Sequence, residues 1–152
     1  MMSIRMRQIE AWLYAYPIWQ RQVTSLREQL DDYPRVHYEF VAVASFPKNW
    51  DSNPTYDAVE KRMTLEEERI RPLQFKIHLV ENALGVLTEE EMALIRLKYF
   101  EKKLNSIVWE TLFVSRRAFF RKRVVVLEKL YEALGGDYAL IWDKTGRSSA
   151  RS

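Results

Sequence analysis

Residues 115–134 read S-R-R-A-F-F-R-K-R-V-V-V-L-E-K-L-Y-E-A-L, running from Ser115 to Leu134, with arginine crowded into the first turns and an ordinary amphipathic pattern in the last. Phe119, Val126, Leu127 and Leu130 stand 4, 11, 12 and 15 positions after Ser115, which gathers them on one broad inward face of an α-helix. Arg116, Arg117, Phe120 and Arg121 then project from the early turns on the other side. Ser115 is the expected N-cap, with a hydroxyl able to accept a backbone N–H, and the positive helix start beside it favours a phosphate. Arginine suits base reading because its fork can bind guanine O6 and N7 together or clasp a phosphate. Lys122 and Arg123 are better placed for phosphates than for bases, and Phe120 either touches a thymine methyl or packs against a neighbouring helix.

Upstream, Thr88 precedes Glu89, Glu90 and Glu91, the pattern of a capping box, and predicts a helix over 89–101. Met92, Ile95, Leu97, Tyr99 and Phe100 supply its apolar contacts. A break over 102–105 comes next, then a short helix capped by Asn105 or Ser106 and ending at Leu112. Residues 88–134 therefore have the layout of a helix-turn-helix DNA-binding domain. Charge points the same way. Residues 113–134 hold 6 basic and 2 acidic side chains, whereas 1–32, 33–87 and 88–112 each balance to within one charge, so the net +3 of the chain is concentrated on one helix. Phosphate neutralisation supplies most non-specific DNA affinity, which makes double-stranded DNA the expected partner; the alternative is a solvated basic face.

The first 87 residues read as a helical scaffold. Ile9, Trp12, Tyr16, Trp19, Val23, Leu26 and Leu30 follow a heptad spacing with Leu13 beside it, and Pro17 should kink or divide that helix. A second heptad run, opened near Thr55, takes Val59, Met63, Ile70, Leu73, Ile77, Val80, Leu84 and Leu87, with Glu66 as one polar member and a bend expected near Arg71 because of Pro72. The two runs can pair as an antiparallel hairpin or with a second chain as a homodimeric coiled coil. Between them lies an irregular loop over 33–54, in which Val36 to Phe46 has enough β-branched and aromatic residues for a short β excursion. After Leu134, Gly135 and Gly136 end the last helix, Tyr138 to Trp142 can pack back onto the domain, and Thr145 to Ser152 reads as a polar tail. The fold class is mainly α: heptad helices followed by a C-terminal helix-turn-helix.

Other chemistry is sparse. The chain of 152 residues, 47% hydrophobic, is long enough for a real core and needs no staples. It has no cysteine, which excludes disulfides and thiolate metal sites and fits a reducing compartment. His37 and His78 stand alone, and the glutamate runs 66–68 and 89–91 fit a helix start or a solvated face better than an acid–base pair. Three of the 4 glycines lie at or beyond position 135, so a Gly-rich phosphate loop is not expected. No catalytic residues, metal or cofactor are expected, and neither is a membrane association: no stretch approaches the roughly 20 apolar residues of a span. The expected location is the cytoplasm.

The segments L-T-E-E-E-M-A-L-I-R-L-K-Y-F-E-K-K and V-S-R-R-A-F-F-R-K-R-V-V-V-L-E-K-L resemble region 4 of bacterial sigma factors. More narrowly, together with S-N-P-T-Y-D-A-V at 52–59, they resemble phage late-gene transcriptional regulators of the ArpU/RinA type. The resemblance covers residues 52–134 well and the first 50 in outline. It implies a sigma-70 region 4-like domain that activates phage late or packaging genes from promoter-proximal DNA together with the host RNA polymerase. Two positions depart from the pattern: Phe113 stands where the turn usually has glycine, and Trp109 where a small residue is usual. The competing readings are a small terminase-like DNA-packaging subunit and an RNA polymerase adaptor that does not bind DNA.

Overall fold

A computed structural model describes the backbone of residues 3–44 and 54–142, and the side chains of 3–31 and 57–142. The described chain is helical, with no strand among the described residues: α1 (Ile4–Ala44), α2 (Pro54–Leu65), α3 (Arg71–Leu84), α4 (Glu89–Ile95), α5 (Asn105–Thr111) and α6 (Arg116–Ala133). A wide π-turn, Glu66–Ile70, joins α2 to α3, a second, Arg96–Phe100, extends α4, and a 3₁₀ turn, Gly136–Tyr138, succeeds α6. The mainly α expectation is met. The chain divides into two compact units, one of residues up to 17 and from 78 onward, the other of 18–77.

The β excursion expected at 36–46 does not form in its described part: α1 runs unbroken through Pro17 and Pro34 to Ala44. The alternation there is short and shares its sequence with Glu39, Ala42 and Ala44, and a helix already nucleated upstream gains a hydrogen bond for each residue it fixes. The rest of the expected loop, 45–53, lies outside the described residues, as does the tail 145–152.

In the unit of 18–77 the two heptad runs pair within the chain and antiparallel, since Trp19 receives Lys76 over its ring at 5.3 Å, Arg27 bridges Glu66 at 3.0 Å, and Arg62 donates to the Leu30 carbonyl at 3.4 Å. The stripe of the second run is interrupted, however. Ile70 is buried as expected, but Val59 and Met63 are 50% and 57% exposed. The π-turn explains the difference. Pro72 cannot donate a backbone hydrogen bond, and the chain widens just before it, with the Arg71 N–H reaching back five residues to the Glu66 carbonyl. One extra residue in that turn slips the upstream phase by one position, so that Ala58 and not Val59 turns inward. Ala58 is accordingly buried, while the exposed Arg62 reaches the Leu30 carbonyl and the half-buried Glu66 makes its ion pair.

The other unit holds α4, α5 and α6 with the first turns of α1. Ile9, Leu13 and Tyr16 are its buried contribution from α1, one position off the expected Trp12. The Tyr16 hydroxyl donates to Glu81 at 2.7 Å and its ring lies 5.1 Å from Phe100. Gly135 and Gly136 adopt φ of +114° and +59° and end α6 as expected. The chain then returns on itself. Trp142 is buried, stacks on Tyr131 at 5.5 Å and donates to the Gly136 carbonyl at 3.0 Å, while Arg5 pairs with Asp137 and Gln8 donates to the Ile141 carbonyl. No helix among the described residues is long and apolar enough to cross a membrane.

Candidate nucleic-acid interface

The capping box at the start of α4 is complete: Glu91 N–H donates to the Thr88 hydroxyl at 3.2 Å, and Thr88 N–H donates to the Glu91 carboxylate at 2.9 Å. The same carboxylate receives both hydrogen bonds of Lys129 on α6, at 2.8 and 2.9 Å. Burial opposes ionisation of Glu91, but the Lys129 and Thr88 hydrogen bonds outweigh it and hold the carboxyl below its usual range. One glutamate thus caps α4 and ties it to α6.

Between α4 and α5 the chain turns at Lys102, whose φ is +56°. Asn105 does not cap α5, since the N-cap is Leu104 and makes no side-chain hydrogen bond. The Asn105 side-chain Oδ1 instead accepts from Lys98 Nζ at 2.9 Å. Lys98 is 7% exposed, and burial together with the nearby Arg123 charge lowers its pKa. Tyr99, fully buried beside it, donates to Glu10 on α1 and stands edge-on to Tyr14 at 4.9 Å. Burial and the Glu10 hydrogen bond raise the Tyr99 pKa, so the proton stays on the phenol.

The turn from α5 to α6 is short. Val114 N–H reaches the Trp109 carbonyl at 3.0 Å, Phe113 takes a left-handed conformation with φ +57°, and Ser115 caps α6 by accepting from Ala118 N–H at 3.0 Å. Trp109 is accommodated by α6 itself, with its ring 5.7 Å from Phe119 and 6.2 Å from Phe120. The inward face of α6 is the one read from the sequence: Phe119, Val126, Leu127 and Leu130 are all buried.

The charged residues of α6 separate into two groups. Arg116, Arg117 and Arg121 are exposed, and Arg117 and Arg121, four apart, share the face opposite Phe119. Lys122 and Arg123 are partly withdrawn. Lys122 pairs with Glu90 at 3.2 Å; Arg123 lies over the Phe120 ring at 5.4 Å and 4.0 Å from Glu10, with its Nε buried and without a hydrogen-bond partner. Phe120 is half-buried, packed on Trp109 and Phe119 with Arg116 over it at 5.9 Å. Its ring belongs to the packing between helices, one of the two roles open to it from the sequence.

The arrangement presents two free guanidinium forks on the outward face of a capped, rigidly seated helix. That geometry can form bidentate contacts to base edges or phosphates. Sequence reading did not foresee the exposed Lys102 and Lys103 before α5, which the break in helical pattern had marked only as a turn, or Glu10, whose partners are distant in the chain. Comparison with protein-family models, with curated proteins and with solved structures finds no match to the chain.

Proposed function

We propose that this chain is a sequence-specific DNA-binding transcription regulator that acts near promoters with a host RNA polymerase, as a phage or prophage late-gene activator. The observation that carries the reading is the division of α6: an inner face on which Phe119, Val126, Leu127 and Leu130 are buried, and an outer one on which Arg117 and Arg121 stand exposed just after the Ser115 cap. A solvated basic face requires no such seating. Here α6 is fixed at both ends, by the Trp109 aromatic cluster and by the Lys129–Glu91 bridge, so the two forks are held in register with each other. The late-gene assignment rests on the resemblance of residues 52–134 to regulators of the ArpU/RinA type and is the finer part of the proposal.

Selection of bound fragments from the source genome, including any resident prophage, at near-physiological salt tests it, because non-specific phosphate binding is suppressed under those conditions. Enrichment just upstream of a promoter is the expected result. Enrichment at a packaging start would favour a terminase-like subunit, and no enrichment would favour a polymerase adaptor.

A further inference from the structure

Phe113 carries two costs that glycine at the same position would avoid. Its φ of +57° is a conformation that a bulky side chain rarely adopts, and its ring is 95% exposed, the most exposed large apolar side chain among the described residues. The turn needs a left-handed residue at this position, because the chain must reverse between the Trp109 carbonyl bond and the Ser115 cap. Glycine would supply that at no steric cost. A ring that strains the backbone and stands out in solvent is accounted for by something outside the chain.

We infer that Phe113 is a DNA-contacting residue whose ring packs on apolar carbon of the duplex, either a deoxyribose face or a thymine 5-methyl, at the leading edge of α6. The inference rests on the DNA-binding reading. The occupant is indicated by charge: after Glu110 the next carboxylate is Glu128, while Arg116, Arg117, Arg121, Lys122 and Arg123 fall between them, and Arg116 and Arg117, three and four positions after Phe113, are both exposed. An exposed apolar ring three and four positions ahead of exposed guanidinium groups matches a polyanion with apolar sugar and methyl surfaces between its phosphates.

The test uses the full chain and the fragment that it enriches from its genome. Phe113→Gly should unfold at the same temperature as the parent or higher, yet bind that fragment about tenfold more weakly, the loss expected for a partly buried aromatic contact. Phe113→Asn, which tolerates the left-handed conformation without the freedom of glycine, should lose affinity equally. Replacing thymidine by deoxyuridine in the fragment should reproduce the loss for the parent but not for Phe113→Gly if the methyl is the contact, and leave the parent unchanged if the sugar is. Parent-like affinity in both variants would overturn the inference while leaving the DNA-binding reading intact. Loss in Phe113→Gly alone would overturn it too, by showing that turn stiffness matters rather than the ring. If the parent enriches no fragment, the reading and the inference fall together.

Discussion

At the scale of single residues, the side chains of α6 separate into those that hold the fold and those that remain free to bind, and mutation should separate them equally cleanly. Phe119 is fully buried among Trp109 and Phe120. Phe119→Ala should cost about 3 to 5 kcal/mol of stability, measured by urea unfolding. Arg117→Ala and Arg121→Ala should leave the unfolding midpoint unchanged and each cost about 1 to 3 kcal/mol in binding the selected DNA, with relaxed base preference. Uniform weakening across all sequences would reduce both arginines to phosphate contacts. Lys98 is a different case. Its ammonium is buried, sits near the like charge of Arg123, and has one short hydrogen bond, to Asn105. Lys98→Met should therefore be more stable by about 1 kcal/mol, and a comparable loss would show that the Asn105 bond holds the entry to α5. The α6 core was legible because it depends only on local spacing. Glu10 was not, since its pairing with Tyr99 and Arg123 exists only once distant segments of the chain meet.

At the scale of elements, the caps of α4 and α6 were readable, whereas the cap of α5 and the phase of the second heptad run were not. Thr88 and Ser115 announce themselves by residue type and by the helical pattern that begins after each, and both cap as expected; Thr88→Ala should cost about 1 kcal/mol. Heptad counting carried one helical phase across the bend expected near Arg71, and the π-turn at Glu66–Ile70 shifts that phase by one residue. The consequence is testable by paired substitutions. Val59→Gln and Met63→Gln should each change stability by less than about 0.5 kcal/mol, whereas Ala58→Gln, placing a long polar side chain into a buried position, should cost about 1 to 3 kcal/mol. An unshifted helix gives the opposite ranking. The joint between α4 and α6 depends on pH. The folded-state pKa of Glu91 lies below its usual 4.5, so its ionised form stabilises the fold above that value, and the stability is lost as pH falls through the lower, folded-state pKa. Thermal unfolding tracked from pH 7 down to about 3 should show this loss, and Glu91→Gln should flatten that part of the curve.

At the scale of the whole molecule, the heptad stripes that are compatible with self-association already pair within the chain between 18 and 77. A homodimer would have to use what the intramolecular pairing leaves outside, such as Val59, Met63 and Phe75. The other unit joins the first turns of α1 and the end of α3 to α4, α5 and α6, and the return of Trp142 closes it against Tyr131. Sequence could place the basic helix and its cap, but the surroundings that draw Lys122 and Arg123 inward while leaving Arg117 and Arg121 free are a product of packing. The central claim is that those two exposed arginines read DNA. Its most direct test is to run the genomic fragment selection in parallel with the parent chain and with an Arg117→Ala, Arg121→Ala double variant of unchanged helicity. The account predicts a discrete set of promoter-proximal fragments for the parent and loss of that set in the variant. No discrete set, or the same set enriched equally by both, would contradict it.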